Sequence, residues 1–387
     1  MTPCPEPPDL LPRRHLISLS VALFLSACGG GGSGAPPALA PAPTASPPPP
    51  PPPPTPGLID FPIASRSPLF QPSGSKRLLF LGQDMVALGG ITDGGTVYAN
   101  GYLDDDALSP LPIGLTTYLA VTDSQGLTTT FHNSGEEKNA ELIATAPAFA
   151  GTRPLLAIGY YLGNDYNATL NGSRDATLRT LAEWVKSKNL PVFLRIGYEF
   201  NASWTGHPSN KVGYINSFRY IASKLQQYGA TNIAFVWQSD GQGTEGDLAS
   251  YYPGDAYVDW VGYTHFDNKG EGMLAFARTH NKPVMVAEAT PVGFNLAKAG
   301  DADGKRAWDG WFQPVLNHLQ THPEIRALAY INDNWPAKPM WAGVSFFNTT
   351  DSRVQRSAYV KAKWLAAMSD GTWFSRAEVL SAIGFTP

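Results

Sequence analysis

Cysteine and charge are both scarce in this sequence. Its 387 residues include two cysteines, Cys4 and Cys28, and only 16% charged residues, with a formal net charge of -4. Two cysteines ahead of the folded region exclude a disulfide framework and a thiolate metal site. A slightly acidic chain also lacks the basic surface that a nucleic-acid partner requires. The fold must therefore depend on packing, for which 43% hydrophobic residues and 10 tryptophans are ample.

The N-terminal segment has the pattern of an export signal. Arg13 and Arg14 precede the apolar run LISLSVALFLSA, which is too short to span a bilayer as a stable helix. The residues LSAC that end at Cys28 resemble a bacterial lipobox, which predicts a signal peptide over 1–27 and a lipid-modified Cys28. By resemblance to Gram-negative lipoproteins, Gly29 favours the outer membrane. An ordinary signal peptide that is cut near Ala27 is the alternative.

A linker separates this signal from the folded part. The stretch 28–57 is rich in glycine and then in proline, a composition that cannot bury enough apolar surface to fold. Its run Pro47–Pro54 predicts a polyproline II spacer that rises ~3.1 Å per residue, although a Pro-rich recognition site is the alternative. The stretch 58–387 shows no second boundary, and roughly 330 residues in one piece suit a (β/α)8 barrel.

Eight short apolar runs have the composition of parallel strands that are covered on both faces. They lie near 77–82, 114–121, 154–162, 191–200, 232–238, 258–266, 283–290 and 325–333. Amphipathic segments separate several of them, including 173–189 and 211–229, the second of which ends at a C-cap signal at Gly229. This alternation predicts βαβ units and a (β/α)8 barrel. A doubly wound open sheet shares the pattern, but no phosphate-binding glycine motif follows the first strand.

Two glutamates are predicted at the C-terminal ends of strands, where barrel enzymes place their reactive groups. Glu199 ends the fourth strand and Glu288 ends the seventh. By strand alternation, each lies two residues from an inward-directed partner, Gly197 and Val286 respectively. Two carboxylates in one cleft meet the requirement of retaining glycoside hydrolysis, in which one is the proton donor and the other the nucleophile. The structural alternative is an ion pair between Glu199 and Arg195, with Glu288 capping a loop.

Four segments of the chain carry a family resemblance. They are LRIGYEFN with a following Trp, YYPGDAYVDWVGYTHF, PVMVAEATP and INDNW. Together they resemble glycoside hydrolase family 26, a family of (β/α)8 retaining glycosidases, which implies that Glu199 is the acid/base and Glu288 the nucleophile. The mannanases of that family carry His before the acid/base, where Tyr198 stands here. The forms GYEF and AEATP look more like the β-1,3-xylanase branch.

Further residues are predicted to support the two glutamates. Glu199 must be protonated when substrate binds, so we expect burial and the charge of Glu288 to raise its pKa. Glu288 must stay ionised, and Arg195 and Tyr263 are candidate hydrogen-bond donors to it. A packing role for Tyr263 is equally compatible with the sequence.

Aromatic rings are expected to line the cleft, because the apolar face of a pyranose stacks on Trp or Tyr. Trp335, after the eighth strand, is predicted to form the floor of the subsite that holds the reacting sugar. Trp237 and Trp204 are predicted in loops on the catalytic face, and Tyr198 beside the sugar hydroxyls.

The sequence predicts no cofactor and no metal. His265 and His207 are predicted near the site, where scattered histidines favour neutral hydrogen bonding because zinc needs three or four clustered ligands. The chain is therefore predicted to be a monomeric, lipid-anchored, endo-acting β-glycosidase that acts on a polysaccharide, β-mannan or β-1,3-xylan. A non-catalytic polysaccharide-binding lipoprotein and a transglycosylase on the same barrel are the alternatives.

Overall fold

A computed structural model describes residues 57–65, 68–109 and 111–386. The predicted signal peptide, the lipidated Cys28 and the linker up to residue 56 lie outside the described residues, so these three predictions stay predictions. Among the helices of the described part, none is both long and apolar enough to cross a membrane.

The strands form one closed barrel and two small hairpins. Eight parallel strands close the barrel in the order β1-β12-β11-β10-β9-β8-β7-β4, and β2-β3 and β5-β6 are antiparallel pairs. The bounds are β1 Leu78–Leu81, β2 Ile91–Asp93, β3 Thr96–Tyr98, β4 Gly114–Ala120, β5 Phe131–Asn133, β6 Glu136–Lys138, β7 Leu155–Tyr161, β8 Val192–Ile196, β9 Ile233–Ser239, β10 Trp260–His265, β11 Val284–Ala289 and β12 Ile325–Tyr330. The predicted (β/α)8 barrel is confirmed, and each of the eight predicted strands overlaps one barrel strand.

Helices follow the barrel strands and cover the outside of the barrel. Their bounds are α1 Met85–Leu88, α2 Ala140–Ala144, α3 Tyr166–Leu170, α4 Asp175–Lys188, α5 Lys211–Gln227, α6 Glu245–Ala249, α7 Glu271–His280, α8 Ala302–Ala307, α9 Gln313–Thr321, α10 Ala358–Met368 and α11 Val379–Ala382. The predicted helices at 173–189 and 211–229 are confirmed as α4 and α5. Asn210 caps α5 by accepting from the Gly213 N–H, and Gly229 follows its end with φ of 83°.

Strand alternation divides the core into two layers. Inward residues such as Phe193 fill the barrel, and the Phe193 ring packs edge-on against the rings of Phe80 and Trp260, with centroids 5.2 Å apart in both pairs. Outward residues such as Leu194 and Phe235 pack under the helices. Polar groups that point inward lie mainly toward the C-terminal ends of the strands, which these apolar residues leave open.

The segment before β1 runs along the outside of the barrel. The backbone N–H of Ile59 donates to the Asn216 side chain of α5 at 2.9 Å, and the Trp260 indole donates to the Leu69 carbonyl at 2.7 Å. Phe70 then enters the bottom of the barrel, where its ring lies 5.6 Å from that of Phe193. This segment closes the end of the barrel opposite the predicted site.

Candidate active site

Glu199 stands on an irregular turn that follows β8. The strand ends at Ile196, three residues earlier than Glu199, so the prediction that Glu199 ends the strand is wrong in detail. Gly197 and Glu199 both have φ of 53°, in the left-handed region. A side chain on Gly197 would come within 2.7 Å of the Tyr214 ring, so only glycine fits there. The turn costs backbone strain and brings the Glu199 carboxylate over the barrel mouth.

Glu288 reaches the barrel interior through a β-bulge in β11. Val286 pairs with Tyr263 and Glu288 pairs with Thr264, so Ala287 is an extra residue without a partner on β10. Val286 packs in the outer layer, which corrects the prediction that it faces inward with Glu288. In a regular strand Glu288 would face the same side as Val286, and the bulge turns it inward instead.

A chain of hydrogen bonds joins the two carboxylates. The Thr264 hydroxyl donates to Glu199 Oε1 at 2.5 Å. Gln238 Nε2 donates to Thr264 Oγ1 at 3.1 Å and to Glu288 Oε1 at 3.4 Å. The direct distance between the two carboxylates cannot exceed the sum of these three distances. That sum is below the upper limit of ~9.5 Å for paired glycosidase carboxylates. Both glutamates therefore face one cleft, as predicted.

Arg195 neutralises one glutamate and not the other. It is fully buried, and its Nη1 donates to Glu288 Oε1 at 2.5 Å and to Gln238 Oε1 at 2.9 Å. Arg195 thus contacts Glu288, as predicted, rather than forming the alternative ion pair with Glu199. We refer to Arg195, Glu199, Gln238, Thr264 and Glu288 as the catalytic group.

The electrostatics of Glu199 suit a proton donor. Burial, and then the negative charge of Glu288, raise the pKa of Glu199 to about 8. Hydrogen bonds from Thr264 and Trp204 oppose this shift, because they stabilise the ionised form. The predicted direction of the pKa shift is thus what the structure gives. Glu199 holds its proton at neutral pH while Glu288 is paired with a guanidinium.

Tyrosine rings enclose Arg195 from above. Its guanidinium lies 4.9 Å from the Tyr118 ring centre and 5.5 Å from that of Tyr198. Gly159 makes room for this arrangement, since a side chain there would come within 2.4 Å of the Tyr118 ring and 3.0 Å of Arg195 Nη2. The rings limit the access of water to the guanidinium and strengthen its pairing with Glu288.

Two exposed aromatic residues lie beside Glu199. The Trp204 indole donates to Glu199 Oε2 at 3.0 Å, and its ring is stacked at 10° on that of Tyr161, with centroids 6.2 Å apart. Each residue is 41% exposed. Tyr198 packs next to Trp204 at 5.9 Å. Trp204 and Tyr198 are therefore at the site, as predicted, and Tyr161 joins them.

Trp237 lies outside the cleft, contrary to the prediction, and Tyr263 also lies outside it, in the packing role that was the stated alternative. Trp237 belongs to β9 rather than to a loop, faces outward, and stacks on Phe200 at 4.4 Å. Tyr263 also faces outward, and its hydroxyl lies 3.0 Å from His318 Nε2, so it does not donate to Glu288. In each strand the inward neighbour, Gln238 or Thr264, takes the place at the site.

His265 and Trp335 are likewise not available to a sugar. His265 is the last residue of β10, and its ring packs outside the barrel, 6.2 Å from that of Trp311 and 5.6 Å from that of His318. Trp335 is 1% exposed and stacks on Phe347 at 4.1 Å, so its ring offers no open face for the floor of a subsite. Packing by the segment around Phe347, which follows Trp335 closely in the chain, explains the second error.

Gln238 and Thr264 are the site residues that the sequence interpretation missed. Each is a polar residue near the end of an apolar run, and each is in phase with inward apolar residues, such as Val236 for Gln238. Counting alternate residues from the interior of each strand would have identified both as inward-facing.

A second buried charged group occupies the opposite side of the mouth. Lys338 Nζ lies 2.7 Å from Asp84 Oδ2 and 2.5 Å from Asp333 Oδ2. Asp84 follows β1, and Asp333 follows β12. Lys138 Nζ lies 2.7 Å from Glu136 Oε2 on β6. We refer to these five residues as the lysine group. The Trp341 indole donates to Glu136 Oε1 at 3.0 Å, which fixes the β5-β6 hairpin over this side of the barrel.

The comparisons with known proteins agree with this architecture. The family model described as glycosyl hydrolase family 26 matches residues 156–308, which include Glu199 and Glu288. A β-1,3-xylanase of a Vibrio species is 30% identical over 303 residues, 71% of this chain and 64% of the relative. A β-1,3-xylanase of an Alcaligenes species is 28% identical over 303 residues, 71% of this chain and 62% of the relative. The chain thus spans less than two thirds of the length of either relative.

A solved structure supports the fold alone. An endo-β-1,4-mannanase double mutant of Cellulomonas fimi superposes with a TM-score of 0.58 at 18% identity, over 84% of this chain and 79% of that chain. The family match, the two relatives and the shared barrel confirm the resemblance seen in the sequence. Residues 156–308, which hold both glutamates, are similar to glycosyl hydrolase family 26.

Proposed function

We propose that the protein is an endo-acting β-glycosidase that retains anomeric configuration, with Glu199 as acid/base and Glu288 as nucleophile. One observation carries the proposal. Two carboxylates lie in one cleft and differ in their surroundings: the pKa of Glu199 is raised to about 8, whereas Glu288 accepts a hydrogen bond from the buried Arg195. This difference favours Glu199 as the acid and Glu288 as the nucleophile.

The first step forms a glycosyl-enzyme. Glu199 gives its proton to the glycosidic oxygen as the bond to the anomeric carbon breaks, and Glu288 attacks that carbon from the opposite face. The hydrogen bonds that Arg195 and Gln238 give to Glu288 both go to Oε1, so Oε2 is the oxygen placed to attack. The products are the shortened chain, which leaves, and a glycosyl ester on Glu288.

The second step consumes water. Esterification removes the negative charge of Glu288, which is the second cause of the raised pKa of Glu199, so that pKa falls. Glu199 then takes a proton from water, the water oxygen attacks the anomeric carbon, and the Glu288 carboxylate leaves. One water is added across the glycosidic bond, and two inversions restore the starting configuration. A sugar hydroxyl in place of water would make the same chemistry a transglycosylation.

The polysaccharide is proposed to be β-1,3-xylan or β-mannan. Both relatives are β-1,3-xylanases, and Tyr198 stands where the mannanases carry His, which together favour β-1,3-xylan. The stacked pair Trp204 and Tyr161 offers an exposed aromatic surface next to the proton donor, on which a sugar of the leaving chain can stack.

A substrate panel on the purified protein tests the proposal. We expect reducing ends to be released from β-1,3-xylan or β-mannan, with oligosaccharides of several lengths as early products and the β-anomer formed first. Glu288→Ala should bind the same glycan without cleaving it. Binding by the wild type with no cleavage of any glycan would instead establish a binding protein, and longer products than substrates would establish transglycosylation.

We further propose that the mature chain is a monomer anchored by lipid at Cys28 in the outer membrane of a Gram-negative bacterium. The support is the lipobox-like LSAC, the following Gly29 and the Pro-rich stretch. Radiolabelled palmitate should enter the wild type and not Cys28→Ser, and the wild type should sediment with outer membranes. Release of both proteins into the soluble fraction would contradict the anchor.

A further inference from the structure

A cluster of metal-ligating side chains lies between two helices, away from the catalytic group. One nitrogen of His318, one nitrogen of His322 and one carboxylate oxygen of Glu271 lie within 4.8 Å of one another. Glu271 is the first residue of α7, whereas His318 lies in α9 and His322 directly follows it. The two histidines are four residues apart, the spacing that places two side chains on one helix face.

Each imidazole has one nitrogen held by an outer oxygen. The hydroxyl of Tyr263 lies 3.0 Å from His318 Nε2, and Glu324 Oε1 lies 3.4 Å from His322 Nδ1. Histidines that bind metals are held in this way, because an outer oxygen fixes the ring orientation and leaves the other nitrogen for the ion. The arrangement therefore brings two oriented imidazoles and one carboxylate together.

Two of the three side chains in the cluster have room to move. Glu271 is exposed and His322 half-buried, so both can adjust their rotamers to reach a common ion.

We propose that Glu271, His318 and His322 bind one Zn²⁺ ion that joins α7 to α9, with water as the fourth ligand. Two nitrogens and one carboxylate oxygen are a ligand set that zinc accepts, whereas calcium and magnesium prefer oxygen ligands. Tyr263, which contacts His318, faces outward from the barrel, whereas the next residue, Thr264, faces the catalytic group. The zinc site therefore lies outside the barrel, away from the catalytic group, and we assign it a structural role. None of the three ligands was among the residues predicted to be near the site from the sequence.

Calorimetric titration with ZnCl2 tests this proposal on the whole protein, prepared without a polyhistidine tag and stripped with EDTA. We expect one zinc per chain and a rise in the melting temperature, with no rise when MgCl2 is used. His322→Ala and Glu271→Gln should each weaken zinc binding by at least ~10-fold. Both changes are at accessible positions, so the variants should fold without metal, and circular dichroism checks this.

His132→Ala is the matched control, because His132 is an exposed histidine beside a glutamate, on β5. It should bind zinc as the wild type does. Co²⁺ as a second probe should give the visible absorption of a tetrahedral site in the wild type and lose it in His322→Ala. Zinc affinity that is equal in the wild type and in the double variant Glu271→Gln/His322→Ala would overturn the proposal, as would no binding to the folded wild type.

Discussion

The catalytic group and the lysine group occupy opposite sides of the same barrel mouth and show how buried carboxylates differ in use. In the lysine group, Lys338 lies against both Asp84 and Asp333. In the catalytic group, Arg195 bonds Glu288 at 2.5 Å, whereas Glu199 is bonded by the neutral donors Thr264 and Trp204. In both groups a buried cation holds the carboxylates that contact it, and the carboxylate without a cation, next to a like charge, is the one that can exchange a proton.

The aromatic surroundings extend the contrast. The Tyr118 ring lies between the two groups, 4.9 Å from the Arg195 guanidinium and 5.2 Å from Lys138 Nζ. The lysine group is covered by the β5-β6 hairpin and Trp341, whereas Trp204 and Tyr161 leave Glu199 open on one side. The same chemical groups are thus sealed on one side of the mouth and accessible on the other. Five substitutions test this division, in order of decreasing effect.

Glu288→Gln should have the largest effect. It removes the attacking oxygen and the charge that Arg195 neutralises, and we expect kcat to fall by on the order of 10⁴-fold or more. Initial rates on the best glycan measure this, with circular dichroism as the check on folding. Substantial residual kcat in the folded variant would contradict the assignment of the nucleophile.

Glu199→Gln should lower kcat/KM by about 10²–10⁴-fold, the contribution of a general acid. Because the protonated form is active and its pKa is about 8, wild-type kcat/KM should fall as pH rises through about 8, and this limb should vanish in the variant. An alkaline limb that persists in the variant would assign the titration to another group.

The same substitution has a stability consequence of defined sign. The native state holds the Glu199 proton up to a pH of about 8, whereas the unfolded chain loses it near 4.5, so this group destabilises the fold progressively between those values. Glu199→Gln should therefore be more stable than the wild type above pH 8, by on the order of 1–3 kcal/mol after allowance for partial exposure. The gain should shrink toward pH 5.

Lys338→Met should affect folding rather than chemistry. It leaves Asp84 and Asp333 buried without a cation, and we expect the free energy of unfolding to fall by about 3–5 kcal/mol. Urea denaturation measures this. Lys76→Met, which breaks the exposed pair with Glu378, is the matched control and should cost less than about 1 kcal/mol. Equal losses in both variants would end the contrast between a buried and a surface lysine.

Thr264→Val should move the alkaline limb rather than abolish activity. The hydroxyl stabilises ionised Glu199, so its removal raises the pKa of Glu199, and the limb should shift upward by roughly 0.5–1 pH unit. Thr264→Ser keeps the hydroxyl and should leave the limb near its wild-type position. A downward shift in Thr264→Val would show that Thr264 does not donate to the carboxylate.

Trp204→Phe should have the smallest effect. It removes the indole N–H that bonds Glu199 and keeps a ring against Tyr161, and water can replace the lost donor at this 41% exposed position. We expect an upward shift of the limb by a few tenths of a pH unit, roughly. Trp204→Ala should in addition raise KM, because the aromatic surface is lost.

The fold was predictable because parallel strands that are buried on both faces leave an unbroken apolar signal, and all eight runs proved to be barrel strands. The two hairpins were not predicted, since strands of three residues carry almost no pattern. The glutamates and Arg195 could be placed because charged residues at the ends of such runs are conspicuous.

The side on which a residue lies was harder to predict. Trp237, Tyr263 and His265 were assigned to the cleft although each lies within a strand, where alternation decides which side chains face inward. In both strands the outward neighbour of an inward polar residue was chosen. The bulge at Ala287 reversed the alternation in β11, and a bulge depends on the partner strand, which the local sequence does not describe.

The supports of the two glutamates imply a division of mechanical roles. Glu288 projects from a strand inside the sheet and is hydrogen-bonded to a buried guanidinium. Its position is therefore fixed when it attacks the sugar. Glu199 lies on a strained turn at the surface of the mouth, where one hydroxyl and one indole donate hydrogen bonds to it. Glu199, which transfers a proton between two oxygens, thus has the more flexible support. Glu288, which forms a bond to carbon, has the more rigid one.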